Sequence, residues 1–128
     1  MFKILVVDAS PAFHQYVQRT IAPNLKVEIV FFFNGEDAME FLQTEMPALI
    51  LLEIGMDAKT GVDFLRDLRQ DETYQSTPII ILSSDRSSEI IETTKPFHVS
   101  DYVVKRKLDK ATLLQAIKTA LVRARIPF

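Results

Sequence analysis

Four short apolar runs punctuate the chain: Ile4 to Val7, Ile29 to Phe33, Ala48 to Leu52 and Ile79 to Leu82. They are rich in Ile, Val, Leu and Phe, continuous rather than alternating, and bounded by polar turns. That is the pattern of strands buried on both faces of a parallel sheet. Between them apolar residues recur at helical spacing: Phe13, Tyr16, Val17 and Ile21; Ala38, Phe41 and Leu42; Val62, Leu65 and Leu68; Leu113, Ile117 and Leu121. Each set forms one stripe on an otherwise polar helix. Strand and helix are therefore predicted to alternate.

The boundaries carry their own signals. Ser10 before Pro11 supplies an N-cap and an N1 proline, and Asn34 stands three residues before Asp37. Thr60 before Gly61 and Asp109 are further N-cap candidates, while Pro47 and Pro78 stand just ahead of the third and fourth strands. A fifth, shorter strand is predicted at Asp101 to Val104. The helix before it, around Arg86 to Lys95, is marked only by Ile90 and Ile91. Five strand–helix units imply right-handed crossovers and helices on both faces of a five-stranded parallel sheet, a doubly wound, flavodoxin-like α/β domain. Its crevice belongs at the carboxyl ends of the strands, near the topological switch point.

Composition narrows the function classes. The 128 residues suit one domain, expected to span 1–128, with 48% hydrophobic and 25% charged residues. A net charge of -2, from 17 acids against 15 bases, gives no footprint for nucleic acid. With no cysteine, disulfides, thiolate metal sites and thiol nucleophiles are excluded. No apolar run approaches the roughly 20 residues of a membrane span, and Asp8 interrupts the N-terminus where a signal peptide would need its apolar region. The cytoplasm is the expected location. Met1 reads as a true start, and Arg123 to Phe128 as a tail or the beginning of a linker.

Four polar residues fall at the carboxyl ends of the predicted strands: Asp8, Glu53, Ser83 and Lys105. Any one of them alone reads as a solvated strand end; four at one rim read as a site. The segments that hold them are ILVVDASP at 4–11, LILLE at 49–53 followed by Met56 and Gly61, PIIILSS at 78–84 and DYVVK at 101–105. In order and spacing they resemble the receiver domains of response regulators, of the chemotaxis-regulator type, over essentially the whole chain.

That resemblance carries expectations for individual residues. Glu53 takes the position of the phosphoacceptor aspartate, and Asp8 that of the first of two metal-binding acids. Ala9 stands where the second acid is usual. Ser83 matches the hydroxyl that binds the phosphoryl group, Lys105 the ion-pairing lysine and Tyr102 the aromatic that rotates on activation. Asp57 replaces a usual proline, and Arg106 replaces the proline, often cis, that usually follows the lysine.

Receivers phosphorylate themselves by aligning a carboxylate with a phosphodonor while a divalent cation and a lysine neutralise the phosphoryl oxygens. Glutamate moves the attacking oxygen by about an ångström, a displacement that can cost roughly a hundredfold in rate. Ala9 removes a carboxylate from an ion that relies on one or two. The expectation is a non-enzymatic, phosphorylation-independent interaction module without a resident cofactor. A weak Mg2+ at Asp8 and Glu53 is left open, and a Glu53–Lys105 ion pair is the expected resting arrangement. The alternative is a receiver that still accepts phosphate from a histidine kinase.

The expected partner is a histidine kinase or downstream effector, bound through the face of the fourth helix, fifth strand and fifth helix, with a homodimer left open. The other readings are weaker. Asp8-Ala9-Ser10 is similar to the nucleophile motif of haloacid-dehalogenase phosphatases, but Ser10 replaces their second aspartate. An FMN carrier would need glycines or hydroxyls in the Ala9 to Ala12 loop. His14 and His98 have no ligand spacing around them and are assigned no metal role. Lys105 to Lys107 reads as a solvated rim, and Met39, Met46 and Met56 as core or loop filler.

Overall fold

The structure is a computed structural model that describes residues 1–55, 61–84 and 88–127. Its strands are β1 (Lys3–Val7), β2 (Glu28–Phe32), β3 (Leu49–Leu52), β4 (Ile79–Ser83) and β5 (Asp101–Val104). Its helices are α1 (Pro11–Ile21), α2 (Gly35–Leu42), α3 (Gly61–Gln70), α4 (Ser88–Thr94) and α5 (Lys110–Arg123). All pairings are parallel, in the order β2-β1-β3-β4-β5. The predicted doubly wound fold is therefore observed, and the order reverses at β1 and β3.

The apolar runs are continuous because each strand faces two cores. Leu5, Val7, Ile50, Leu52, Ile79 and Ile81 pack with Ala38 and Leu42 of α2 and with Phe64, Leu65 and Leu68 of α3. The alternate residues Ile4, Val6, Leu49, Leu51, Ile80 and Leu82 pack with Val17 and Ile21 of α1 and with Leu113, Ile117 and Leu121 of α5. A side-chain period of two splits one strand between two helical layers.

Three helix starts form as the sequence suggests. The side chains of Ser10, Asn34 and Asp109 accept from the N–H groups of Phe13, Asp37 and Thr112. Thr60, Met56, Asp57 and Arg86 lie outside the described residues. Other boundaries shift. The second strand ends at Phe32, leaving Phe33 52% exposed, and the fourth helix stops at Thr94, where Lys95–Phe97 tightens into a 3₁₀ turn closed by His98 in the left-handed region (φ 53). The peptide bonds of the described residues are all trans, and Lys105–Lys107 form another 3₁₀ turn that contains Arg106.

Arg69, in the last turn of α3, anchors the approach to β5. Its guanidinium donates to the carbonyls of Phe97 at 2.7 Å and Tyr74 at 2.6 Å. The Tyr74 hydroxyl in turn donates to the Leu42 carbonyl at the end of α2. Among the described residues no helix is long and apolar enough to cross a membrane.

Candidate functional site

Register brings the strand-end residues together. Val7 lies opposite Leu52, and the ladder continues for one more step: the Glu53 N–H donates to the Val7 carbonyl at 3.0 Å, as the Asp8 N–H does to Phe32. Asp8 and Glu53 thus leave the sheet as neighbours at the switch point. Ser83 ends β4 opposite Val104, and Lys105 follows directly. The structure brings together all four rim residues predicted from the sequence.

Asp8 is the most tightly held. Its Oδ1 accepts from the Ser10 N–H at 2.9 Å, and its Oδ2 lies 2.6 Å from the Lys105 ammonium. Asp8 is only 3% exposed, so its carboxylate depends on these charge-assisted bonds. The expected Glu53–Lys105 pair is present in a different form. Lys105 Nζ is 3.3 Å from Glu53 Oε1 and sits closer to Asp8, so one ammonium serves two carboxylates. The Ser10 N–H fixes Asp8 near the lysine, while the longer glutamate side chain carries its carboxylate toward the end of β4.

There Glu53 meets a ring of donors. Oε1 accepts from the N–H of Ser84 at 3.4 Å and from its hydroxyl at 3.5 Å, and Oε2 from the Gly55 N–H at 3.3 Å. Each contact is long by hydrogen-bond standards, so several weak donors share the charge. Burial pushes the Glu53 carboxyl up, but the Ser83 hydroxyl, the Lys105 ammonium and the Gly55 N–H together hold it below its ordinary value.

Gly61 makes this geometry feasible. A Cβ there would stand 2.3 Å from the Ile54 Cα and 2.7 Å from the Glu53 carbonyl oxygen. Only glycine lets the first turn of α3 approach the Glu53-Ile54 backbone this closely, and the Gly61 N–H donates to Ile54 at 2.9 Å.

Several contributors were not assigned roles from the sequence. Ser84 and Gly55 act largely through backbone N–H groups, which carry no residue signature. Phe13 places its ring 4.2 Å from Lys105 Nζ. His14 is buried, stacked against Phe31 and Phe33 with centroids at 4.8 and 4.7 Å, and its Nε2 has no hydrogen-bond partner among the described residues. Tyr102 is half-buried with Ile90, Phe97 and Val99 against the α2–α3 side of the sheet.

Receiver domains commonly bind Mg2+ or Mn2+ in an acidic pocket. The donors in this chain do not fit such an ion well. Ala9 offers no side-chain oxygen, both carboxylates are already engaged with Lys105, and no cluster of three ligating side chains occurs among the described residues. A cation would have to displace an ammonium already compensating the same charges.

A family model described as the response regulator receiver domain matches residues 4–118. The chain belongs to the response regulator receiver domain family. It is 31% identical over 81 residues to response regulator Rre1 of Synechocystis, a match covering 63% of this chain and 35% of Rre1. It is 28% identical over 117 residues to the transcriptional regulatory protein DegU of Brevibacillus brevis, covering 91% of this chain and 48% of DegU. The chain thus spans about half or less of the length of these curated relatives. The chemotaxis protein CheY4 of Vibrio cholerae shares the fold with a TM-score of 0.84 and 27% identity, covering 94% of this chain and 99% of that one. Family members are signalling modules of two-component systems that engage histidine kinases and effectors.

Proposed function

We propose that the chain works as a single receiver unit in the cytoplasm whose output is preset by Glu53 and needs no phosphoryl group. The carrying observation is where the Glu53 carboxylate sits: among Ser83, Ser84, Gly55 and Lys105, an arrangement of donors suited to an oxyanion. A carboxylate already in such a cradle supplies the negative charge that would otherwise arrive by phosphorylation. With Lys105 set against Asp8 and Glu53, only one negative charge is left uncompensated and no metal is required.

The readout surface is the face of α4, β5 and α5, with Tyr102 reporting the state of the rim. Its partner is a histidine kinase or downstream effector, and neither nucleic acid nor membrane is required. Glu53 biases a two-state surface toward one arrangement, as a ligand with differential affinity would.

Glu53→Gln tests this by keeping the shape and removing the charge. Backbone amide shifts around Tyr102 and self-association by light scattering should both change. If the variant loses stability while both signals stay at parent values, Glu53 is a structural anchor and the preset reading fails. Incubation with Mg2+ and acetyl phosphate should leave the intact mass unchanged. A hydroxylamine-sensitive phosphoryl adduct on Glu53 or Asp8 would favour the receiver that still accepts phosphate.

A further inference from the structure

The ring of Phe13 is the part of the site that a preset carboxylate does not explain. Lys105 Nζ lies 4.2 Å from its centroid, well inside the roughly 6 Å within which a ring quadrupole attracts a cation. The backbone that carries the ring is tied to Asp8 through the cap of α1. The Phe13 N–H donates to the Ser10 hydroxyl at 3.2 Å, and the Ser10 N–H donates to Asp8 at 2.9 Å. Carboxylate, cap and ring therefore form one connected piece, with Tyr16 stacked on the ring at 6.0 Å.

Lys105 reaches this piece from β5, with a side chain only 20% exposed. Of its three partners, Asp8 at 2.6 Å and the Phe13 face belong to the first strand–helix unit, and only Glu53 at 3.3 Å belongs to the third strand. The ring favours the ammonium near α1, and that preference competes with Glu53 for the same charge.

We propose that Phe13 is a positioning residue for Lys105, its ring face holding the ammonium on the Asp8 side of the site and limiting its share in Glu53. The proposal rests on the reading of Glu53 and Lys105 as a functional pair. It makes α1 a determinant of how strongly the rim is preset, rather than a passive layer of the core. An aliphatic residue of similar volume would fill the space without directing the charge.

The test replaces Phe13 with mono-, di- and pentafluorinated phenylalanine, which weaken the negative ring face stepwise at nearly constant size. Phe13→Leu and Phe13→Tyr provide an aliphatic control and a conservative rescue. Two NMR signals are read on the Lys105 ammonium: proton exchange with water, and couplings across hydrogen bonds to the labelled carboxyl carbons of Asp8 and Glu53. Exchange should accelerate stepwise, by about two- to fivefold over the series for a cation–ring contact of ordinary strength. The coupling to Glu53 should grow relative to that of Asp8, and Phe13→Tyr should match the parent.

Flat exchange and unchanged couplings across the fluorinated series would overturn the proposal. So would faster exchange with both couplings falling together, because the ring would then be a water shield without directional effect. If Phe13→Leu does not fold, the fluorinated series decides alone. Couplings that move as expected while Glu53→Gln leaves the Tyr102 amides unchanged would sink the preset reading and leave the positioning role standing.

Discussion

Lys105 stands 2.6 Å from Asp8 and 3.3 Å from Glu53, so the lysine is bound first to the strand-end acid of β1 and only second to Glu53. Asp8 is also fixed by the Ser10 N–H, whereas the Glu53 carboxylate accepts from Gly55 and Ser84 at 3.3 Å or longer. Asp8 is the rigid member of the triangle and Glu53 the adjustable one.

Asp8→Asn should therefore destabilise the fold more than Glu53→Gln. Losing a short charge-assisted bond at a 3%-exposed site should cost about 1 to 3 kcal/mol, and the long contacts of Glu53 about 1 kcal/mol or less. Urea unfolding at neutral pH with an unchanged slope gives the comparison. Equal losses, or the reverse order, would show that Lys105 favours Glu53 in solution.

Ala9 and Glu53 should act as one unit. Ala9→Asp adds an oxygen donor beside Asp8, and Glu53→Asp withdraws the carboxylate from the Ser84 donors. Calorimetric titration should give stronger Mg2+ binding for the double variant than the two single changes add up to. A double variant that binds no better than the parent would mean that Lys105 still outcompetes the ion.

The strands, their two-sided burial and the convergence of Asp8, Glu53, Ser83 and Lys105 were legible because alternating strands and helices force every strand end onto one rim. The share of Lys105 between two acids was not legible, because it depends on sub-ångström differences that spacing cannot encode. In α1 the stripe was legible only in part. Phe13, Tyr16, Val17 and Ile21 all face the core, with Phe13 and Tyr16 at its partly buried edge, but the helix also buries His14 and Thr20. The buried face is wider than the apolar stripe, which puts a histidine in the core and leaves the Phe13 ring at the edge, within reach of the rim. His14 shares the spacing of Val17 and Ile21, so the signal existed, but a polar residue type hid it. In the fourth helix, Ile90 and Ile91 located the element without setting its ends.

Gly61→Ala should test how closely α3 must approach the site. The new methyl would meet backbone atoms of Ile54 and Glu53 at 2.3 to 2.7 Å, and neither can rotate away as a side chain could. Overpacking of this kind costs about 1 to 3 kcal/mol, and here it should also displace the Glu53 carbonyl. Thermal unfolding should show the loss, and the Gly55 and Ser84 amide shifts should move. A variant of parent stability with unchanged amides would mean that the loop relaxes without cost.

His14 should make stability depend on pH near neutrality. Burial is the largest influence and lowers its affinity for a proton; the bond to the Asp8 main chain and the charge of Asp8 oppose that shift, and Lys105 reinforces it. The folded value thus lies below the ordinary value of about 6.5. As pH falls through that ordinary value, the unfolded chain takes up a proton that the folded chain still refuses, so stability must fall. The loss continues until the folded imidazole itself protonates against Phe31 and Phe33. Glu53 adds a separate window, because its carboxyl is held below the usual range: its contribution is full above about pH 4.3 and is lost as pH falls through its own lower value. His14→Phe keeps an aromatic ring against the two phenylalanines and should abolish the upper window while leaving the lower one. Urea midpoints from pH 8 to pH 3, compared between parent and variant, separate the two. An upper window that survives His14→Phe would place its origin in another group.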